Sequence, residues 1–269
     1  RTTPTVTFCS MQTVSRYPRR CSHRGRSTRR GCSTRAIRDK MNIEGLNKVT
    51  LLDYPGHVAC TVFTGGCDLR CPFCHNSQLV LHPNFSPIDE EEIFRLLRRR
   101  RGVLDGVAIT GGEPLLQPDI GDFISRVREL GYAVKLDTNG THPARLAALL
   151  RSGAVDHVAM DIKNSPERYP ETVGIPDFDI SAVTESIGII MSEAPDYEFR
   201  TTVVAEFHDV NSFIGIGGMI SGARRYFLQG FRDSGALIRP GLHAASAEEM
   251  ERYAEAVKPF VEHAELRGI

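Results

Sequence analysis

The chain has 269 residues, 41% hydrophobic and 25% charged, which suits one large domain or two small ones with a sizeable core. No apolar stretch approaches the ~18 residues of a membrane-spanning helix. The formal net charge of zero is split: residues 1–40 hold ten Arg and one Lys against Asp39, and the remainder holds 22 basic and 32 acidic residues. An acidic body with 7% aromatics and no Trp leaves neither nucleic acid nor membrane as an expected partner.

Residues 1–40 alternate Arg with Ser and Thr and follow neither the helical nor the strand period. The composition mimics an organellar transit peptide. Two other readings compete with targeting: a disordered Arg/Ser/Thr-rich arm, and upstream sequence translated ahead of a start at Met41. Because such a segment buries too little apolar surface to order itself, the start-site reading is preferred. The working domain is then residues 41–269, and Cys9, Cys21 and Cys32 receive no role.

From Gly45 onward, short β-branched runs alternate with amphipathic stretches. The first expected strand is Ala59–Thr64. A helix follows near Asp89–Arg101, with acids in its first turn and the run Arg98–Arg101 at its end, where cations suit the helix dipole. Val107–Thr110 reads as a strand, then Ile120–Leu130 as a helix closed by Gly131. Ala133–Asp137 is the third strand and Pro143–Arg151 the helix after it. His157–Asp161, a helix at Ile180–Met191, Phe199–Val204, Arg225–Gln229 and a last helix at Ala245–Val257 complete the series. Strands separated by helices imply parallel βαβ units. Six of them, without an early Gly-rich dinucleotide loop, predict an α/β fold: a partial (βα)6 TIM-like barrel with the active site at the C-terminal rim of its parallel strands.

The residues that carry chemistry fall just past these strands. Gly65-Gly66-Cys67-Asp68-Leu69-Arg70-Cys71-Pro72-Phe73-Cys74-His75-Asn76 follows the first, and Gly111-Gly112-Glu113-Pro114 the second. Asp137-Thr138-Asn139-Gly140, Asp161-Ile162-Lys163 and His208-Asp209 follow later ones. Cys67, Cys71 and Cys74, spaced C-x3-C-x2-C, place three thiolates on one short loop. Such a loop fits a structural zinc completed by His75 or His57, or an iron–sulfur cluster. Zinc loops favour C-x2-C pairs and four ligands, and a zinc site would leave the other rim motifs unexplained. A four-iron cluster ordinarily takes four cysteines, so three leave one iron open for catalysis. Cys60 alternates inward on its strand and reads as a small core residue.

With Phe73 ahead of the third cysteine, this loop resembles the signature of the radical S-adenosylmethionine (SAM) superfamily. The resemblance implies a 4Fe-4S cluster whose open iron is chelated by the amino and carboxylate groups of SAM. Reductive cleavage of the sulfonium then yields methionine and a 5′-deoxyadenosyl radical that abstracts a hydrogen atom from the substrate. Gly111, Gly112 and Glu113 match the family's second motif, the glycines admitting close backbone approach and the carboxylate facing the methionyl ammonium. Asp137, Thr138 and Asp161 would lie near the methionyl end, where some relatives hold a monovalent cation. Lys163 would face the carboxylate, and His208 is a further candidate for the cofactor or substrate.

The likeness extends over residues 43–267. Ile43-Glu44-Gly45-Leu46, Leu52-Asp53-Tyr54-Pro55-Gly56, Cys71-Pro72-Phe73-Cys74-His75-Asn76, Ile109-Thr110-Gly111-Gly112-Glu113-Pro114 and Lys135-Leu136-Asp137-Thr138-Asn139-Gly140 resemble anaerobic ribonucleoside-triphosphate reductase activating proteins. So do Ala159-Met160-Asp161-Ile162-Lys163 and Tyr226-Phe227-Leu228-Gln229-Gly230-Phe231. This implies an oxidoreductase that generates a glycyl radical on a partner enzyme, anaerobic ribonucleotide reductase, with reduced flavodoxin or ferredoxin as electron donor. An anaerobic cytoplasm, where thiols stay reduced, is the expected compartment. The alternatives are a pyruvate formate-lyase-type activase, a radical SAM enzyme acting on a small molecule or peptide, and a zinc-structured binding module.

Overall fold

Runs such as ACTVFT and GVAITG are rich in β-branched residues that pack well on a pleated surface, and the helical stretches between them present one apolar face. In the computed structural model, which describes residues 41–83 and 87–268, these runs form one eight-stranded sheet in the order β1 to β8. The arm read at residues 1–40 lies outside the described residues.

The sheet opens with β1 (Ile43–Thr50), antiparallel to β2 (Ala59–Thr64). After α1 (Ser77–Leu81) and α2 (Glu90–Arg99) comes β3 (Gly106–Gly111). Then α3 (Ile120–Glu129) leads to β4 (Ala133–Thr138), and α4 (Pro143–Arg151) to β5 (His157–Asp161). The short α5 (Tyr169–Val173) and α6 (Ser181–Glu193) precede β6 (Asp196–Val203). Finally α7 (Val210–Met219), β7 (Arg225–Gly230), α8 (Ala247–Val257) and β8 (His263–Arg267) complete the chain. Strands β2 to β8 are all parallel to their neighbours. Among the described residues β1 and β8 stay at opposite edges, the order of an open barrel.

The six expected strands are β2 to β7, so the parallel set has one more member than anticipated and an antiparallel edge besides. The extra members hid for a physical reason. β1 is buried only at its ends, and β8 is nowhere fully buried, so neither shows a run of core residues. α7 was also unexpected: Gly215, Gly217 and Gly218 depress its helical propensity, and apolar residues surround it. Two features compensate. Asp209 and Ser212 close a capping box at its start, and Gly217 lies so close to Phe260 that an added Cβ would meet the ring at 2.4 Å.

Alternation along the strands sorts the two faces of the sheet. Cys60 and Val62 of β2, Val107 and Ile109 of β3, Val134 and Leu136 of β4, and Val158 and Met160 of β5 join the buried hydrophobic core. The opposite parity carries Thr61, Lys135, Asp137, Asp161, Glu198, Arg200 and Arg267. Among the described residues, no helix is long and apolar enough to cross a membrane.

Candidate active site

The chemistry-bearing loops meet where β2 to β6 end. Gly111 sits at φ +115°, and a Cβ there would lie 2.4 Å from the Thr64 amide nitrogen. At Gly112 the clearance is smaller still, with a Cβ only 1.8 Å from the Gly66 carbonyl oxygen. Glycine is required because two backbones cross here. The Gly112 N–H donates to Thr64 O and the Glu113 N–H to Gly66 O, each at 2.8 Å. Asn76 Nδ2 donates to Gly111 O at 3.0 Å. The cysteine loop and the Gly-Gly-Glu turn are thereby stitched together.

Cys67, Cys71 and Cys74 are free thiols that border a cavity of about 190 Å³. Gly111, Gly112, Asp137, Thr138, Asn139, Asp161 and Arg200 are among the other residues that line it. Burial pushes the Cys67 thiol up to about 12 and that of Cys71 up to about 11, and raises Cys74 as well. Thiolates in such surroundings need cationic metal to share their charge.

Two aspartates flank Arg200 on one wall of this cavity, with a lysine behind each. Arg200 donates from Nε to Asp161 Oδ1 at 2.9 Å and from Nη1 and Nη2 to Asp137 Oδ2 at 3.2 and 3.3 Å. Lys163 Nζ donates to the second Asp161 oxygen at 3.0 Å, and Lys135 to the second oxygen of Asp137. Burial alone would raise both carboxyls, but Arg200, with Lys163 or Lys135, outweighs it and holds them below the usual range. All four carboxylate oxygens face a protein cation, so a monovalent cation there would share them with Arg200 and the two lysines.

Three of the residues expected to contact the cofactor are not among those lining this cavity. Glu113 is fully buried and stands outside the cavity wall. Its Oε1 accepts from the Leu115 N–H and the Thr138 hydroxyl, both at 2.9 Å, and its Oε2 from the Asn139 N–H at 2.7 Å. Burial pushes its carboxyl up to about 7 even against these donors. It ties the end of β3 to the end of β4. Lys163 sits behind Asp161 rather than on the wall. His208 is buried, with Nε2 at 2.9 Å from Lys163 O and Nδ1 at 3.1 Å from the Val204 backbone. Its ring joins the β6–α7 turn to the end of β5, which leaves it no free nitrogen for a ligand. Burial also holds its pKa below the ordinary value.

Arg200 and Asn139 are among the wall residues to which motif reading gave no role, as are Leu69, Asn76, Val80 and Thr110. Arg200 is the one cation inside the strand DYEFRTTV, and its register opposite Asp161 marks it as inward-facing. Asn139 was legible as a turn residue but not as a contact of the cysteine loop. Among the described residues no three His, Cys, Asp or Glu side chains converge on a single metal ion; the three thiols ring the cavity instead.

A parallel α/β sheet whose strand ends present a three-cysteine loop, a Gly-Gly-Glu turn and paired aspartates defines one class of enzyme. The family model of the radical SAM superfamily matches residues 61–195, and the chain belongs to that superfamily. Its cofactors are accordingly a 4Fe-4S cluster and SAM, and a loop with one buried and two half-buried thiols beside a cavity of both charge signs fits them. A protein of Methanocaldococcus jannaschii named as a candidate glycyl-radical enzyme activating enzyme is 28% identical over 236 residues, covering 86% of this chain and 97% of that protein. The pyruvate formate-lyase-activating enzyme of Clostridium pasteurianum is 32% identical over 127 residues, 45% of this chain and 52% of that one. Among solved structures, Streptococcus suis SuiB bound to SAM superimposes with a TM-score of 0.57 at 16% identity, covering 76% of this chain and 48% of SuiB.

Proposed function

We propose that this radical SAM enzyme is an oxidoreductase that generates a glycyl radical on a partner enzyme, anaerobic ribonucleoside-triphosphate reductase. The observation that carries the reading is the match to a candidate activating enzyme along 97% of that protein's length, together with the sequence motifs that continue past the cluster loop to β7.

In this reading Cys67, Cys71 and Cys74 would hold the cluster, beside which SAM would bind. When bound and reduced, the cofactors supply hydrogen-atom abstraction. The protein's part is to bind, orient and exclude water. Gly111 and Gly112 bring backbone against the ligand. Arg200 and the aspartates Asp137 and Asp161 present both charges at one wall, which complements a zwitterionic aminocarboxylate, and Thr138 adds a hydroxyl. Glu113 contributes through the segments it braces. Lys163 acts by keeping Asp161 ionised and His208 by holding the Lys163 carbonyl. The electron donor is reduced flavodoxin or ferredoxin, and the compartment an anaerobic cytoplasm.

The test is anaerobic reconstitution followed by reduction with dithionite in the presence of SAM. 5′-Deoxyadenosine should form, and adding the reductase should yield a glycyl-radical signal by electron paramagnetic resonance. Deoxyadenosine without any radical on the reductase would reject that partner and favour another substrate. A colourless protein holding zinc would sink the assignment of the loop.

A further inference from the structure

Asn139 lies between Thr138 and the Gly140 turn, a position that turn chemistry alone would explain. Its contacts exceed what a turn needs. The residue is 6% exposed. Its Oδ1 accepts from the Thr141 backbone N–H at 3.0 Å and from the Thr141 hydroxyl at 2.7 Å. This pair fixes which way the amide points, because its nitrogen could not face the backbone donor. The Asn139 backbone N–H is held in turn by Glu113 Oε2 at 2.7 Å.

With its oxygen and its backbone tied, the side chain must turn its nitrogen to the cysteine loop. Nδ2 stands 2.9 Å from Asp68 Oδ1 and 3.7 Å from Cys67 Sγ. A primary amide carries two N–H groups, one for each acceptor. The Leu69 backbone N–H reaches the same sulfur at 3.4 Å. Cys67 therefore receives a side-chain donor aimed from a different strand end, in addition to the donor on its own loop.

We propose that Asn139 is a positioning residue that tunes the iron–sulfur cluster through Cys67, an inference that rests on the assignment of Cys67, Cys71 and Cys74 as its ligands. One-electron reduction adds negative charge that spreads onto the ligating sulfurs. A donor fixed against one of them stabilises the reduced state more than the oxidised one, and so raises the reduction potential. Glu113 and Thr141 act one step further out by aiming the amide. The buried Glu113 carboxylate thereby gains a function that needs no direct contact with SAM.

The experiment uses the full chain reconstituted with iron and sulfide, as wild type, Asn139→Leu and Thr141→Val. Leu keeps the shape of Asn without its donors. Val removes one of the two groups that orient the amide and leaves Asn139 in place. Iron and sulfide per chain are measured first. The midpoint potential follows from a dithionite titration, in which dithionite supplies the electron and is itself oxidised, monitored by electron paramagnetic resonance. Both variants should show a more negative midpoint at wild-type iron content, with the larger shift in Asn139→Leu. An unshifted midpoint in Asn139→Leu at full iron content overturns the proposal, even if its thermal stability falls. Should that variant lose iron, Thr141→Val decides, and an unshifted midpoint there overturns it equally. A wild-type chain that takes up no cluster would instead overturn the ligand assignment itself, so the two failures are distinguishable.

Discussion

The sheet has two faces made from the same strands, and they obey opposite rules. On the helix side, Val107 and Ile109, Val134 and Leu136, Val158 and Met160 interlock with α-helices in one continuous core. On the inner side, alternate residues of β4, β5 and the neighbouring β6 are Lys135, Asp137, Asp161, Glu198 and Arg200. A closed TIM barrel fills that space with branched apolar side chains. Here it is given to ion pairs, the Arg267–Glu198 pair at 3.1 Å among them. Apolar burial stabilises at roughly 1.5–3 kcal/mol per large side chain, whereas buried ion pairs spend much of their attraction on desolvation. The comparison teaches that the outer face holds the fold while the inner face positions charge.

The sharpest break falls on the inner rim. Replacing Cys67, Cys71 or Cys74 by Ala should abolish cluster assembly and SAM cleavage, read as iron content and 5′-deoxyadenosine yield. Turnover by a two-cysteine variant would contradict the ligand set.

Arg200→Met comes next, because it strands the two carboxylates that flank that side chain. Removing one partner of a buried pair costs about 3–5 kcal/mol, measurable by urea unfolding at pH 7. The sign with pH is specific. In the wild type Asp161 is held below its ordinary value by Arg200 and Lys163 against burial, so its contribution is present above about pH 4 and fades as the pH falls through the lowered value. Without Arg200, burial raises at least one carboxyl, which then accepts a proton at higher pH. The deficit of the variant should shrink as the pH is lowered from 7 towards 4, and a constant deficit would refute the pairing.

Ile109→Ala probes the other face. Truncation in this fully buried position should cost about 2–4 kcal/mol, nearly independent of pH. Glu113→Gln should cost less, about 1–3 kcal/mol, since the new amide nitrogen faces donors rather than acceptors. The smallest effect belongs to Arg151→Ala: its paired Glu193 lies with it at the surface, and the melting temperature should not move measurably.

Legibility in the sequence followed the same division. Strands β2 to β7 declared themselves because their outer residues form apolar runs and helices follow them. Edge strands β1 and β8 lack that signal, and α7 conceals itself behind three glycines. The three cysteines were legible from spacing, and the Gly-Gly-Glu, Asp-Thr-Asn-Gly and Asp-Ile-Lys segments from their place after strands. Direction of a side chain was not. Glu113, Lys163 and His208 sit in the right segments but turn into the protein, and Arg200 became visible only when β5 and β6 were paired in register.

The crossing of Gly66 and Gly112 bears on how this machinery could be transplanted. Since the turn after β3 leaves no clearance for a side chain above the cysteine loop, the two segments are a single cassette. A graft of residues 65–76 into another barrel would succeed only if residues 111–113 travelled with it, which places the seam of any such exchange between strands rather than within a loop.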